Sequence, residues 1–339
     1  MSASTQPLRI GILGAANIAR YLIDGARGSP KIRVEAIASR NLDRGKAFAA
    51  EMGVPRVLAT YEALLADPAI DAVYNPLPNN LHAEWTIRAA DAGKHVLCEK
   101  PLSATAAEAR AMFDAARRNG VYVVEAYPYR AQPQTIRLRE LLREGAIGRP
   151  LLVHASFGFP IADPSNIRLK PELAGGSLMD AGSYPVSLVR MIAGERPLRV
   201  HAFAHMTETG VDRTVAGSIE FPSGLFGQIS SSFATARERK AYIIGDAGLI
   251  ETGYYNDTSA IMPPTIVVRR GATWNAPYET IGCAATSGFR AEAEAFHDLV
   301  RGGWDRWPGA TPEESIDIML TIDAIAASIR SGAPVAVGG

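Results

Sequence analysis

Apolar residues follow two different rhythms along this chain. Up to residue 126, short continuous apolar runs alternate with helical spacing. Leu8-Arg9-Ile10-Gly11-Ile12-Leu13, Val34 to Ala38, Ala69 to Asn75, the run from His95 into Cys98, and Val121 to Glu125 predict strands buried on both faces. Between them, one helix is expected through Trp85 and Ala90. Another has a capping box at Thr105 and Glu108, a buried face at Ala109, Met112, Phe113 and Ala116, and a stop at Asn119-Gly120. Strand and helix in alternation predict a doubly wound parallel sheet. A helix carrying Ile136, Leu138, Leu141 and Leu142 ends near Gly145, and from there the period falls to two. Leu151 to Phe159, Leu198 to Met206, Thr214 to Phe221, Leu225 to Phe233, Ala241 to Gly245 and Thr265 to Arg270 read as strands, with a hairpin turn at Pro222-Ser223-Gly224. Strands joined through short turns predict a mostly antiparallel sheet. Two late helices are expected: Phe289 to Val300, and one opened by Thr311-Pro312-Glu313-Glu314 with a buried stripe at Ile318, Ile322, Ile325 and Ile329. The fold class is therefore α/β in residues 1–126, followed by an α+β domain over residues 127–339.

Composition narrows the partners. The chain has 339 residues, with 35 basic and 35 acidic side chains and no net charge, so no field favours nucleic acid or an anionic membrane. No apolar run approaches the roughly 20 residues of a membrane helix. Cys98 and Cys283, its only cysteines, lie far apart and lack the neighbours of a zinc site, so neither disulfide nor metal is expected, and a cytoplasmic protein is. Alternating strands with apolar residues on both sides, such as Phe226, Ile229 and Phe233, leave a broad sheet surface that a second subunit is expected to cover.

Candidate chemistry collects at strand ends. After the first strand, Gly14, Ala15, Ala16, Asn17 and Ile18 turn into a helix; Gly14, Ala16 and Ala19 stand where a dinucleotide fingerprint has its glycines, a Rossmann signature in altered form. The second strand ends in Ser39-Arg40, with Arg44 one helical turn on. No carboxylate stands there to bind a ribose 2′-hydroxyl, and these residues suit a 2′-phosphate, so NADP is expected in preference to NAD. The loop Pro78-Asn79-Asn80-Leu81-His82 follows another strand; His82, in the first turn of a helix, reads as a hydrogen-bonding residue beside the cofactor site without a catalytic role. Glu99 and Lys100 close the His95 strand at a proline. Taken alone they are equally a surface charge pair or a ligand-facing lysine. In Gly175-Gly176-Ser177-Leu178-Met179-Asp180-Ala181-Gly182-Ser183-Tyr184, Asp180 and Tyr184 share a face if a helix begins at Asp180. Equally, Asp180 is an N-cap and Tyr184 a core aromatic with a wet hydroxyl.

The glycine turn, the Pro78 to His82 loop, Glu99-Lys100-Pro101, Glu125-Ala126-Tyr127 and Asp180-x-Gly182-x-Tyr184 together resemble the glucose-fructose oxidoreductase, inositol dehydrogenase and rhizopine-catabolism family (Gfo/Idh/MocA) over nearly the whole chain. The resemblance implies an N-terminal nucleotide-binding domain and a C-terminal domain whose open sheet mediates dimers or tetramers. It also implies oxidation or reduction of a ring hydroxyl of a sugar, polyol or trans-diol. Tyrosine at 184 is similar to the glucose-fructose oxidoreductase, xylose dehydrogenase and dihydrodiol dehydrogenase branch, which tends to use NADP. By that resemblance Tyr184 is the base, Lys100 lowers its pKa and binds the substrate oxygen, and Asp180 holds a neighbouring hydroxyl. Tyr127 and Arg130 join Lys100, Asp180 and Tyr184 as substrate contacts, and Glu99 and Lys100 border the cofactor. Pro128-Tyr129-Arg130-Ala131-Gln132-Pro133 departs from the branch pattern, and the loop Ile161 to Leu173 is peculiar to this chain. An NAD-dependent glycosidase using transient oxidation and a non-catalytic NADP-responsive regulator are the alternatives.

Overall fold

The computed structural model describes residues 6–259 and 263–338. They form two compact units, each discontinuous in sequence: described residues up to 132 with 286–310, and those from 133 to 285 with those from 311 onward. The sequence division at 126/127 differs from this because a late helix returns to the first unit.

The first unit is built on β1 (Leu8–Leu13), β2 (Ile32–Ala38), β3 (Arg56–Leu58), β4 (Ala72–Asn75), β5 (His95–Glu99) and β6 (Val123–Ala126). They pair in parallel throughout, in the order β3-β2-β1-β4-β5-β6. The order reverses between β1 and β4, so the strand ends flanking that point open a crevice on the carboxyl edge. The helices are α1 (Ala19–Ala26), α2 (Leu42–Met52), α3 (Tyr61–Leu65), α4 (His82–Asp91), α5 (Ala106–Asn119) and, from the far end of the chain, α8 (Gly288–Gly302). Packing explains the return of α8. A Cβ on Gly25 would stand 2.9 Å from the Arg290 backbone nitrogen, so α1 and α8 meet closely. Ala293, Phe296 and Leu299 of α8, with Trp307 beyond it, join Leu8, Ile10 and Ile12 in one core. On α5 the residues expected to be inside are buried. Thr105 accepts from the Glu108 N–H at 3.2 Å, while the Glu108 carboxylate takes the Ala104 N–H at 2.9 Å, one residue before the position a full capping box uses.

The second unit carries β7 (Pro150–Gly158), β8 (Arg199–Met206), β9 (Asp212–Glu220), β10 (Phe226–Ser232), β11 (Glu238–Gly245), β12 (Gly248–Gly253), β13 (Thr265–Arg270), β14 (Tyr278–Gly282) and β15 (Val335–Ala336). They form one nine-stranded sheet in the order β14-β13-β12-β11-β7-β10-β9-β8-β15, antiparallel except between β7 and β10. The chain between those two strands includes α7 (Ser183–Ala193), long enough to make a parallel crossover. One face of the sheet is covered by α6 (Pro133–Arg143), α7 and α9 (Pro312–Ser331). The buried Arg190 on α7 meets Asp317 on α9 at 2.9 Å, and Arg196 shares the same carboxylate. Thr311 and Glu314 complete the expected capping box of α9. The other face of the sheet is open. Apolar residues do fall on both sides, as expected: Phe226 is exposed, whereas Ile229 and Phe233 are buried.

His82 fastens the loops after β4 and β5. Its ring nitrogens stand 2.8 Å from the Pro101 carbonyl and 2.7 Å from that of Leu77. Burial first, and the Lys100 charge among the lesser causes, pull the imidazole from 6.5 down to about 4. Between those values the unfolded chain binds a proton that the folded chain does not, so stability falls as pH drops through this window. Denaturant unfolding at pH 7.5 and pH 4.5 should show the wild type losing about 2–3 kcal/mol more than His82→Gln over the interval. An equal loss in both would mean that His82 titrates as it does in the unfolded chain.

Candidate active site

In the first unit the expected residues gather on one edge because parallel strands all end there. Gly14 leaves β1 with φ +82° and its N–H donates to the Ala38 carbonyl at 2.7 Å. A Cβ at Gly14 would stand 3.1 Å from Leu77 in a backbone region that L residues rarely adopt, so the turn calls for glycine. Ala16 and Asn17 accept the first hydrogen bonds of the helical turn, from Ala19 and Arg20, and Ile18 leads into α1. This N-terminal end has the form that receives a pyrophosphate.

At the end of β2, Arg40 is exposed, its guanidinium 6.0 Å from the Tyr61 ring centre. Arg44 extends from α2 to the Ala15 carbonyl at 3.0 Å, so its charge lies beside the glycine turn. Ser39 differs from the phosphate donor expected. It is 5% exposed, its hydroxyl donates to the Asn41 carbonyl at 2.7 Å, and a Cβ on Gly45 would meet it at 2.7 Å. Ser39 therefore shapes the turn, and the two arginines carry the exposed positive charge. These residues fit an NADP: a tight glycine turn, a helix N-terminus, two cations and no carboxylate where the 2′-phosphate would lie.

On the same edge Asn79 opens a 3₁₀ turn after Pro78. Asn75, a residue the sequence did not single out, is fully buried and donates to the His82 carbonyl at 3.2 Å and to Thr86 at 3.1 Å, holding the loop from beneath. Lys100 leaves β5 half-buried, and its peptide bond to Pro101 is cis. Glu99 is buried and accepts the Tyr74 hydroxyl at 2.6 Å; Glu125 accepts the Leu102 N–H at 3.0 Å. Glu292 on α8 is buried with them, and desolvation followed by the Glu99 charge pushes its carboxyl well above the usual carboxylate range. Tyr127 and Arg130, expected to touch substrate, are each 1% exposed, with the Arg130 guanidinium 6.0 Å from the Tyr127 ring centre. Burial likewise pushes the Cys98 thiol up. Among the described residues, no group of three or more His, Cys, Asp or Glu is placed to hold a metal ion.

In the second unit Asp180 lies in a π-helical turn, Leu178–Gly182, and Tyr184 is the second residue of α7. Gly182 is the cap, so Asp180 is not. The turn is anchored by Asp212, which accepts from the Ser177 hydroxyl at 2.7 Å and the Leu178 N–H at 2.6 Å. Asp180 meets Arg168 at 2.8 Å, and Arg168 comes from the Ile161 to Leu173 loop expected to depart from the family pattern. Tyr184 is 3% exposed. Its ring meets Phe157 edge-on at 5.4 Å, its hydroxyl accepts from Asn256 at 2.7 Å, and the guanidinium of Arg239 lies 3.8 Å from its ring centre.

Sequence reasoning missed Arg168, Arg239, Asn256 and Asp212. Arg239 had a readable signal. Two residues before Ala241, it occupies the inward phase of β11, where a charge is out of place unless something in the interior needs it.

Comparison with known proteins agrees with this architecture. Residues 8–127 match the family model described as oxidoreductase family, NAD-binding Rossmann fold, and residues 135–251 match the GFO/IDH/MocA C-terminal domain. The D-xylose 1-dehydrogenase (NADP(+)) 2 of Haloferax volcanii is 40% identical over 97% of this chain and 99% of its own length. The mouse trans-1,2-dihydrobenzene-1,2-diol dehydrogenase is 34% identical over 81% of each chain. A 3-ketoreductase from Actinomadura kijaniata, solved with NADP and TDP-benzene, superposes with a TM-score of 0.86 at 31% identity, covering 95% of this chain and 98% of that one. An aldose-aldose oxidoreductase from Caulobacter crescentus, solved with glycerol, gives 0.88 at 28% identity, covering 97% and 99%. A Rossmann unit with a tight turn at Gly14, a second unit built on a large open sheet, and matches to the models for both halves lead to one assignment: the chain belongs to the Gfo/Idh/MocA family of oxidoreductases.

Proposed function

We propose that this protein is an NADP-dependent oxidoreductase moving a hydride to or from a ring hydroxyl or carbonyl carbon of an aldose, a related polyol or a trans-diol. One observation carries the reading: half-buried Lys100 leaves β5 on the same edge as Gly14, Arg40 and Arg44, which sets a cation beside a dinucleotide site. Two relatives support the substrate class by name, a xylose dehydrogenase that uses NADP(+) and a dehydrogenase of a trans-diol. NADP, when bound, accepts or supplies the hydride. The Tyr184 phenol takes the proton of the reacting hydroxyl, Lys100 donates a hydrogen bond to the substrate oxygen and stabilises its developing negative charge, and Asp180 accepts from a neighbouring hydroxyl. With its two thiols free, the enzyme suits the reducing cytoplasm.

The same proposal includes a second copy of the chain on the open face of the nine-stranded sheet. Phe203 is 66% exposed there and Phe226 44%, beside Leu152 and Tyr242, among serine, glutamine and histidine side chains. Aromatic residues set in polar surroundings are typical of a subunit interface.

A panel of aldoses, cyclitols and trans-diols followed at the nicotinamide absorbance band should yield NADPH with at least one of them. Cleavage of a glycoside with no net change in cofactor would contradict the assignment. On the best substrate, Lys100→Met and Tyr184→Phe should each lower kcat by roughly 10²–10⁴-fold with NADP affinity nearly unchanged; near-normal turnover in either would remove that residue from the mechanism. Arg40→Leu should weaken NADP binding by roughly tenfold to a hundredfold, the worth of one charge-assisted contact, and leave NAD binding alone. An unchanged NADP to NAD ratio would show that Arg40 does not read the 2′-phosphate. Light scattering at micromolar concentration should report a dimer or larger, and a monomer would refute the assembly.

A further inference from the structure

Arg239 is a guanidinium in the interior of the second unit, 6% exposed. Strand register puts it there. Ser231 on β10 pairs with Phe157 on β7, and Phe157 with Arg239 on β11, so these side chains form one row across the covered face of the sheet. Tyr254, one residue past β12, continues the row. The Arg239 guanidinium lies 3.8 Å from the centre of the Tyr184 ring and 4.8 Å from those of Phe157 and Tyr254. Three aromatic faces attract the cation.

Two of those rings are phenols, and their hydrogen bonds differ in sense. Tyr254 donates its hydroxyl proton to the Ser156 carbonyl at 2.7 Å, an arrangement that favours the neutral phenol. Tyr184 accepts from the Asn256 amide at 2.7 Å, which favours the anion. Arg239 also sets the direction of that bond. Its Nη1 donates to the Asn256 side-chain oxygen at 3.2 Å, which turns the amide NH₂ toward Tyr184; the flipped amide would place donor against donor. Of the other charges near this row, Arg168 and Asp180 are paired with each other, Asp212 accepts from the Ser177 hydroxyl at 2.7 Å, and Arg237 is exposed, 5.9 Å from the Phe159 ring centre.

We propose that Arg239 is the positioning residue that readies Tyr184 as the base, holding the phenolate's charge against its guanidinium and turning Asn256 to donate to the phenolate oxygen. The inference rests on the reading of Tyr184 as the base and adds to it a source of charge within the same unit, separate from Lys100. In turnover, Arg239 keeps its own proton. The proton from the substrate hydroxyl passes to Tyr184, and the anion–cation pair becomes a neutral phenol beside the guanidinium.

The test is a titration that needs no substrate. With tyrosine labelled by ¹³C at Cζ, the resonance missing from Tyr184→Phe identifies Tyr184, and its midpoint is followed with pH. Arg239→Gln should raise the midpoint by about one unit or more, a tenfold or greater fall in acidity, while Arg239→Lys recovers part of the shift. The acid limb of kcat/KM should move by the same amount. In Lys100→Met, which leaves residue 239 intact, the Tyr184 resonance should still titrate below the other tyrosines; this arm remains decisive if Arg239→Gln does not fold. An Arg239→Gln midpoint equal to wild type, or a Lys100→Met midpoint at the ordinary tyrosine value, would overturn the proposal. Normal turnover in Tyr184→Phe would instead remove the base assignment while leaving the Arg239 titration result standing.

Discussion

Every strand of a parallel sheet ends on the same edge, and the chemistry of the first unit depends on that constraint. β1, β2, β4 and β5 deliver Gly14, Arg40, the Pro78 to His82 loop and Lys100 from four separate stretches of sequence to one crevice. None of these residues has to fold around a ligand to find the others. Sheet hydrogen bonding sets their spacing, and buried polar residues beneath, Asn75 and His82, fix the loops that carry them. The charge at the far end of β2 follows from the same geometry, since the residue that ends that strand must face the adenosine end of a bound dinucleotide.

In the second unit the corresponding constraint is register. A shift of one residue between β7 and β11 would turn Arg239 to the open face and Lys240 to the covered one. The close approach of Gly182 to Ser231, where a Cβ would stand 3.0 Å from the hydroxyl oxygen, seats the π-helical turn on the same row of side chains that carries Arg239. The turn, the sheet and the phenol are therefore positioned together. Asp180 is held by Arg168, which comes from the chain between β7 and the π-helical turn.

Much of this was legible in the sequence where local pattern and global fold agree. The strand Thr265 to Arg270 has its expected bounds, and the hairpin at Pro222 to Gly224 joins β9 to β10. The family was legible because its motifs lie at strand ends and turns, where chemistry rather than packing selects the residue. What was not legible depends on partners distant in sequence. Nothing in the spacing of α8 indicates that it leaves the second unit for α1 and the β1 core; that follows from the fit at Gly25. The inward turn of the Ser39 hydroxyl comes from the close approach of α2, which a linear pattern does not reveal. β12 and β14 were not read as strands, with glycine bounding the first and exposed polar residues filling the second. Arg239 could have been found by extending β11 back two residues and asking why an arginine occupied the apolar phase.

Hydride transfer between a carbohydrate carbon and the nicotinamide is the claim on which the rest of the functional account stands. It is tested most directly by supplying an aldose deuterated at every carbon together with NADP and weighing the cofactor after turnover. The account predicts NADPH carrying one deuterium, in equal amount to the oxidised sugar. Product formed with no deuterium on the cofactor, or a glycoside cleaved with the cofactor unchanged, would contradict it.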